Sequence, residues 1–302
     1  PPYREFVSEL SRREHASATR VTRELMERTT GDAADNLRSL AEALEMHLTA
    51  IGKVNAGDRI DRLHGLSTLS LLRHPPDVTD VRARCIGDAV LRGAGANALA
   101  SAKTTHGYQT ALEILYHESS SKLSVLGMET IEAIGRDRPQ LLLDTLSDAL
   151  VDASDTEHVQ TLLVIAELEL TAESWTYLPT WITSALGTDD PRVRAAAVAS
   201  LRSFDPAVSD QATTAVSNAI VDPASQVRLA TAQTIERWEY NEQLLSELSG
   251  QLAVESDVRV RQQLVSTLTH HGYQPQQPLP AAAMDAWQWG TAVTALQPRE
   301  VV

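Results

Sequence analysis

The chain has 302 residues, of which 43% are apolar and 22% charged, so it is long and apolar enough to bury a substantial core. This composition excludes a disordered tail and a disulfide-stapled mini-protein. A net charge of −14 argues against a general affinity for DNA or anionic membranes, and aromatic residues at only 4% favour an aliphatic core of packed helices.

The basic residues are almost all arginine. Only Lys53, Lys103 and Lys122 are lysines, against 23 arginines. An acid-rich, lysine-poor composition resembles that of proteins from salt-in halophiles, in particular halophilic archaea, whereas a GC-rich genome is an alternative source of the same bias. On the first interpretation, much of the negative charge serves to keep the surface hydrated in concentrated salt.

Cys85 is the only cysteine, so no internal disulfide can form and a reducing cytoplasm is expected. The sequence contains no run of 18 apolar residues, and its first 30 residues are charged throughout. We therefore expect neither a membrane span nor a secretory signal.

Residues 3–28 have the spacing of one long amphipathic helix. Its predicted apolar side consists of Tyr3, Phe6, Leu10, Val21 and Leu25. We expect this helix to open a helical cap of degenerate repeats over residues 1–74.

The N-terminal third is neutral, with 14 basic and 14 acidic residues in 1–100, whereas residues 101–302 have 12 and 26. Five arginines fall on one broad side of the predicted first helix and form a candidate patch for a phosphate or an acidic partner: Arg12, Arg13, Arg20, Arg23 and Arg28. The favoured alternative is that i,i+4 pairs, namely Glu9 with Arg13 and Glu24 with Arg28, cover a solvated face.

No motif for a metal or cofactor stands out. The adjacent His270 and His271 cannot share a helix face, and the spacings of the nine histidines are wrong for a zinc site. The Gly93–Gly95 segment lacks the lysine of a phosphate-binding loop and is interpreted as an inter-helix loop. We therefore expect no catalytic residues, no cofactor and no metal.

The clearest pattern is a repeat of about 34 residues. A Val-Arg pair follows an acidic turn at Val193, Val227 and Val260, at spacings of 34 and 33. Weaker copies precede it at residues 159, 123 and 81, at steps of 34, 36 and 42. The array is expected to cover residues 75–272, with a degenerate or interrupted first half.

Each unit has the pattern of two helices. Pro191 and Pro223 fit the first turn of the second helix, where a missing N–H costs nothing, and the preceding Asp190 and Asp222 can cap it. One helix pair cannot bury its apolar face alone, so successive pairs must stack. The three valines should then occupy equivalent buried positions.

This pattern resembles the HEAT-repeat family, in which an acid-Pro-x-Val-Arg turn precedes an Ala-rich second helix. The resemblance implies an all-α fold, an α-solenoid of stacked helix pairs. It also implies a ladder of acid and arginine between neighbouring repeats. Carried onto this chain, the ladder comprises Asp222 with Arg228, Asp190 with Arg194, and Arg261 in a repeat that has Glu255 at the acidic position. Toward the N-terminus Gln160 and Ser124 replace the arginine, so the ladder is expected to break there.

Aromatic residues are rare enough that their clusters invite a function. They are Trp175, Tyr177 and Trp181 at one helix start, and Trp238 and Tyr240 one repeat after Phe204. They are candidates to line a ligand groove or stack on a base. Because Phe204 and Trp238 are one repeat apart, a recurring packing position is the favoured interpretation.

The C-terminal region has two parts. Residues 273–280 form a Pro-rich connector that cannot be helical. Within residues 281–302, Ala281 to Leu296 is predicted to form a capping helix bearing Met284, Trp287 and Trp289, followed by a tail.

Two classes of function remain. A non-catalytic protein–protein scaffold or adaptor needs only the solenoid surface, with another protein as partner and no membrane. The alternative is a nucleic-acid-binding protein similar to the HEAT-like alkylpurine DNA glycosylases. No residue set in the chain matches a motif of those enzymes or of the HEAT-like bilin lyases, so the scaffold is favoured.

Overall fold

The computed structural model describes residues 3–116, 122–150, 153–168, 178–204, 210–275 and 278–296. These residues form eighteen α-helices, one short 3₁₀ helix (Leu201–Ser203) and no strand. The all-α prediction is therefore confirmed for the described part of the chain.

The chain divides into two compact units, Pro1–Ser154 and Asp155–Val302. This boundary lies inside the predicted array of residues 75–272, and the predicted divisions at residues 74 and 272 stay predictions.

The helices of the first unit are α1 (Arg4–Ser8), α2 (Arg12–Met26), α3 (Asp32–Ala43), α4 (Met46–Ala56), α5 (Arg59–Leu72), α6 (Val78–Cys85), α7 (Ala89–Ala100), α8 (Thr105–Tyr116), α9 (Val125–Asp137) and α10 (Pro139–Ala149). Those of the second are α11 (Asp155–Ala166), α12 (Thr180–Leu186), α13 (Pro191–Ser200), α14 (Asp210–Ala219), α15 (Ser225–Arg237), α16 (Glu242–Val254), α17 (Val258–His270) and α18 (Ala281–Leu296).

In the first unit, α5, α7 and α9 pack against one another in succession, with α4 against α5 and both α6 and α8 against α7. The core between them is aliphatic, as the composition predicts. It includes Leu66, Leu69, Ala96, Leu112 and Ile131, all fully buried. Cys85 is also buried, at the end of α6.

The predicted single helix over residues 3–28 is wrong. The Ser11 hydroxyl accepts from the Glu14 N–H, and the Glu14 carboxylate accepts from the Ser11 N–H. This reciprocal cap starts α2 as a helix separate from α1. Phe6, Val21 and Leu25, expected on a packing face, are each about half exposed. Thr22 and Met26 are the buried residues of α2.

The interpretation of Gly93–Gly95 as a loop is also wrong, because both glycines lie inside the buried helix α7. A Cβ atom at Gly93 would lie 2.2 Å from Oγ of Ser124, the N-cap of α9, and one at Gly95 would lie 2.5 Å from Cγ1 of Val81 in α6. The glycines therefore permit α7 to approach α6 and α9 closely.

In the second unit, α11, α13, α15 and α17 pack in succession, and α12, α14 and α16 pack against α13, α15 and α17 respectively. Val193, Val227 and Val260 are buried in α13, α15 and α17, which confirms their predicted equivalence. Hydroxyl groups join successive helices. Thr234 donates to the Val198 carbonyl at 3.1 Å, and Thr267 to the Ala232 carbonyl at 3.0 Å.

The two Asp-Pro turns differ. Asp190 caps α13 by accepting from the Arg192 N–H, with Pro191 at the first helical position, as predicted. The same prediction for Asp222-Pro223 is wrong, since α15 begins at Ser225 after the N-cap Ala224. The Asp222 carboxylate accepts instead from the Ala224 N–H and from Nε of Arg194.

The aromatic positions serve packing. Phe204 is buried after the 3₁₀ helix that follows α13, and Trp238 is buried directly after α15. The Trp238 indole donates to the Leu201 carbonyl at 3.1 Å. Tyr273, which the sequence analysis missed, is buried at the same place after α17. Trp181 is buried and Tyr240 exposed, whereas Trp175 and Tyr177 lie outside the described residues.

The helix α18 spans Ala281–Leu296 as predicted and packs against α17. Residues 276–277 of the predicted connector and the tail after Leu296 lie outside the described residues. Among the helices of the described ranges, none combines the length and apolarity that crossing a bilayer requires.

Candidate functional site

A groove of about 940 Å³ lies between α12 and α14 in the second unit. Its two walls are helix faces in which lining residues recur at i, i+3, i+4 and i+7, which places them on one side of each helix. They are Thr180, Thr183, Ser184 and Gly187 on one wall, and Gln211, Thr214, Ala215 and Asn218 on the other. The walls thus consist mainly of small polar residues.

The floor of the groove is apolar. Val198, Ala219 and Val227 belong to a buried cluster formed where α13, α14 and α15 meet, and the half-buried Leu186 packs against that cluster. All four residues line the groove, so its floor is the outer side of this cluster. A ligand that enters between the polar walls would contact mainly the half-buried Leu186, because Val198 and Val227 are almost fully buried.

The two ends of the groove are held by specific contacts. At one end, the Leu178 N–H donates to Oε1 of Gln211 at 3.2 Å, beside the exposed Asp210. At the other end, Arg194 and Asp222 line the groove and form an ion pair. The exposed Asp189 lies at this second end, with its carbonyl accepting from Nη1 of Arg194 at 3.0 Å. The groove lining therefore contains the exposed carboxylate of Asp210, and the exposed Asp189 adjoins the groove through its main-chain contact with Arg194.

The ion pair at the groove joins one repeat to the next. Arg194 donates from Nε and Nη2 to both oxygens of Asp222 at 2.9 and 3.0 Å. One repeat later, Arg228 donates in the same way to Glu255 at 2.6 and 2.7 Å. Each is a bidentate pair, the strongest geometry for arginine and a carboxylate.

The structure pairs the ladder residues differently from the sequence expectation. Arg228 contacts Asp222 only through its main-chain carbonyl, at 2.7 Å, and Arg261 likewise donates to the Glu255 carbonyl at 3.1 Å. The six-residue spacing therefore links each arginine to the turn of its own repeat, while the carboxylate partners of Arg194 and Arg228 belong to the next repeat.

The expected pair of Asp190 with Arg194 does not form, because Asp190 caps α13 and pairs with Arg192 at 2.6 Å. The position equivalent to Asp222 and Glu255 is Thr188, whose carbonyl accepts from Arg194 at 2.8 Å. The same capping arrangement recurs in Asp257 with Arg259.

The pKa values of both ladder carboxylates are lowered. Burial raises the pKa of Asp222, but hydrogen bonds from Arg194 and from the Ala224 N–H outweigh it and lower the pKa overall. Burial also raises the pKa of Glu255, yet hydrogen bonds from Arg228, the Asp257 N–H and Gln251 bring it down to about 2. Both groups are thus ionised near neutral pH and act as fixed structural charges.

The predicted arginine patch is largely exposed. Arg12, Arg13 and Arg20 lie exposed on α2, whereas Arg23 is half-buried and pairs with Glu27 at 3.4 Å. Within the described ranges, the expected pairs of Glu9 with Arg13 and Glu24 with Arg28 do not form. The reason is that Glu9 ends α1 and Arg28 lies beyond the end of α2.

In the part of the chain that the structure describes, no three His, Cys, Asp or Glu side chains come together as a metal site would require. His270 and His271 contact each other edge to face, with ring centroids 5.0 Å apart. No protein-family model matches the sequence, and no curated protein is significantly similar to it.

The groove was not predicted from the sequence. Its signal lies in the first helices of two successive repeats, where Thr, Ser, Gln and Asn occupy most of the i, i+3, i+4 and i+7 positions of one face. Such a polar face on a helix of a stacked array indicates a surface left open to solvent.

Proposed function

We propose that the chain is a non-catalytic protein-binding scaffold of the HEAT-repeat α-solenoid kind, and that it docks its partner in the groove between α12 and α14. The repeat of 34 and 33 residues and the succession of α11, α13, α15 and α17 support the architecture. The single observation that carries the docking proposal is the open groove, with its aliphatic floor between polar walls.

The groove defines the chemistry of its partner. Helices of seven and ten residues form its walls, which gives it a length of roughly 10–15 Å at 1.5 Å per residue. A helical segment of about two to three turns matches this length, as in other helix-in-groove complexes. Apolar side chains of that segment would contact Leu186 and Ala215.

Charge favours a cationic partner. Residues 155–302 contain 18 acidic and eight basic residues, a net charge of −10, and no lysine. Asp210 is exposed and lines the groove, and the exposed Asp189 adjoins it next to Arg194. The docked segment is therefore a short amphipathic helix with apolar side chains flanked by Lys or Arg.

Composition supports a cytoplasmic protein of a halophilic host as the setting for this scaffold. The single Cys85 is buried, and burial raises the pKa of its thiol, which keeps it unreactive. In concentrated intracellular salt the apolar floor would supply most of the affinity, because distant charges are screened.

The test uses synthetic helical peptides that carry an apolar stripe between flanking arginines, with binding followed by fluorescence anisotropy. Ala215→Trp should fill the groove and weaken binding at least tenfold, whereas Ser246→Trp, at an exposed position of α16, should not. Asp210→Asn with Asp189→Asn should weaken binding at low salt only. Equal affinity for the Ala215→Trp and Ser246→Trp variants would refute the docking site.

Nucleic-acid binding is the second candidate function, because Arg12, Arg13 and Arg20 form no ion pair within the described residues. Phosphate contacts release counterions, so such binding should weaken steeply with salt. The scaffold proposal expects no binding of duplex DNA in molar KCl. Tight binding there, abolished by Arg13→Glu, Arg20→Glu and Arg23→Glu together, or release of bases from alkylated DNA, would favour the second candidate.

A further inference from the structure

A small pocket in the first unit is lined by cations. Its volume is about 240 Å³, and its polar lining comprises Arg38, Arg73 and Lys103 with the hydroxyl groups of Ser70 and Ser101. These residues come from α3, from α5 and the residue after it, and from the segment that follows α7. Three sequence-distant cations therefore meet at one cavity, in a chain whose net charge is −14.

The carboxylates near the pocket do not neutralise it. Arg38 pairs with Asp35, which is 66% exposed, and its Nε donates to the Leu71 carbonyl at 3.2 Å. Lys103 lies 3.9 Å from Asp137, a carboxylate that also accepts from the Tyr108 hydroxyl at 2.7 Å. Within the described residues, the Arg73 side chain has no ion pair and no hydrogen bond. Arg38 and Lys103 thus each have one carboxylate partner, and Arg73, which has none within the described residues, leaves the cluster with one positive charge in excess.

The backbone at two of these cations is unusual. Arg73 has φ of 53° and Lys103 has φ of 55°, in the left-handed region that favours glycine or asparagine. Attraction between a cation and the carbonyl end of a helix accounts for one basic residue at such a position. It accounts for Arg73 and Lys103 separately, but not for their meeting with Arg38 of α3 at the same cavity.

The geometry points to a binding site for a tetrahedral oxyanion of the phosphate class, held by Arg73, Lys103 and Arg38. Three cations from separate segments suit a dianion with oxygens in several directions, whereas a planar carboxylate is satisfied by one bidentate arginine. The pocket is smaller than the usual range for drug-sized ligands, so it fits the phosphoryl group itself. Free phosphate and a small phosphate monoester share this chemistry. The site does not depend on the proposed scaffold function.

The test exploits the left-handed positions. Arg73→Gly and Lys103→Gly each remove a cation while relieving the backbone, so both variants should be at least as thermally stable as the wild type. Titration calorimetry of the full chain with inorganic phosphate at low ionic strength should show one site. Each variant should lose at least tenfold in affinity. Glu45→Gly is the matched control, because Glu45 has φ of 53° but does not line the pocket. It should gain stability and keep phosphate binding.

Parallel titrations with glycerol phosphate and acetate identify the ligand class. Tighter binding of the monoester than of inorganic phosphate assigns the site to a phosphorylated small molecule, and the reverse assigns it to free phosphate. Absence of phosphate binding to the wild type, equal affinity in Arg73→Gly and Lys103→Gly, or equal affinity for acetate would each overturn the proposal.

Discussion

Arg228 and Glu255 form the most deeply buried ion pair of the ladder, with the Glu255 side chain fully inaccessible and Arg228 only 12% exposed. Arg228→Met should destabilise the fold by about 3–5 kcal/mol, because it leaves a buried carboxylate without its partner. Arg192→Met is the control, since the Arg192 side chain is 67% exposed and its pair with Asp190 is worth at most about 1 kcal/mol. Urea unfolding followed by circular dichroism measures both, and similar losses would contradict the assigned role of the ladder.

Glu255 also sets a pH dependence. Its pKa falls from an ordinary value near 4.5 to about 2 on folding, because the hydrogen bonds to its carboxylate outweigh burial. Its contribution to stability is therefore fully present above pH 4.5 and is lost as the pH falls through 2. The wild type should have a higher free energy of unfolding than Glu255→Gln at pH 5, and this difference should shrink as the pH falls to 2. A difference that stays constant over this range would show that the carboxylate is not stabilised by ionisation.

Among the helices, α7 depends most clearly on close approach. Gly93→Ala should destabilise the protein by about 1–3 kcal/mol, since its Cβ would lie 2.2 Å from Oγ of Ser124. Gly250→Ala, inside α16 with open space around its Cβ position, should stabilise the protein by about 0.5–1 kcal/mol. Thermal unfolding measures both changes. A loss of stability in Gly93→Ala with a gain in Gly250→Ala would verify the packing of α7, whereas stabilisation by both substitutions would contradict it.

The second helices of the repeats show which local signals carry an element. Val193, Val227 and Val260 are buried where the repeat period placed them, because a helix buries residues at a spacing that the sequence displays directly. The break at Ser11 also had a local signal, the Ser-x-x-Glu capping box, which the amphipathic pattern of residues 3–28 obscured.

For the whole molecule, three lysines and forty acidic residues predict a response to salt. The free energy of unfolding should rise as KCl increases to molar concentration, because counterions screen the repulsion between carboxylates. The stabilisation by KCl should be larger in residues 155–302, which have a net charge of −10, than in residues 1–154, which have a net charge of −4. Unfolding midpoints that are flat or fall with KCl would remove the halophilic interpretation.

The all-α class, the period of the second helices and the cap at Asp190 followed from the sequence alone. Each depends on residues within one or two helical turns, where spacing dictates contact. Tertiary structure decided which carboxylates the two arginines bind. Asp222 lies 28 residues after Arg194, and Glu255 lies 27 residues after Arg228, each in the next repeat. The groove between α12 and α14 and the meeting of Arg38, Arg73 and Lys103 have the same origin. Both depend on how closely separate helices approach one another, and no local sequence pattern specifies the distance between helices.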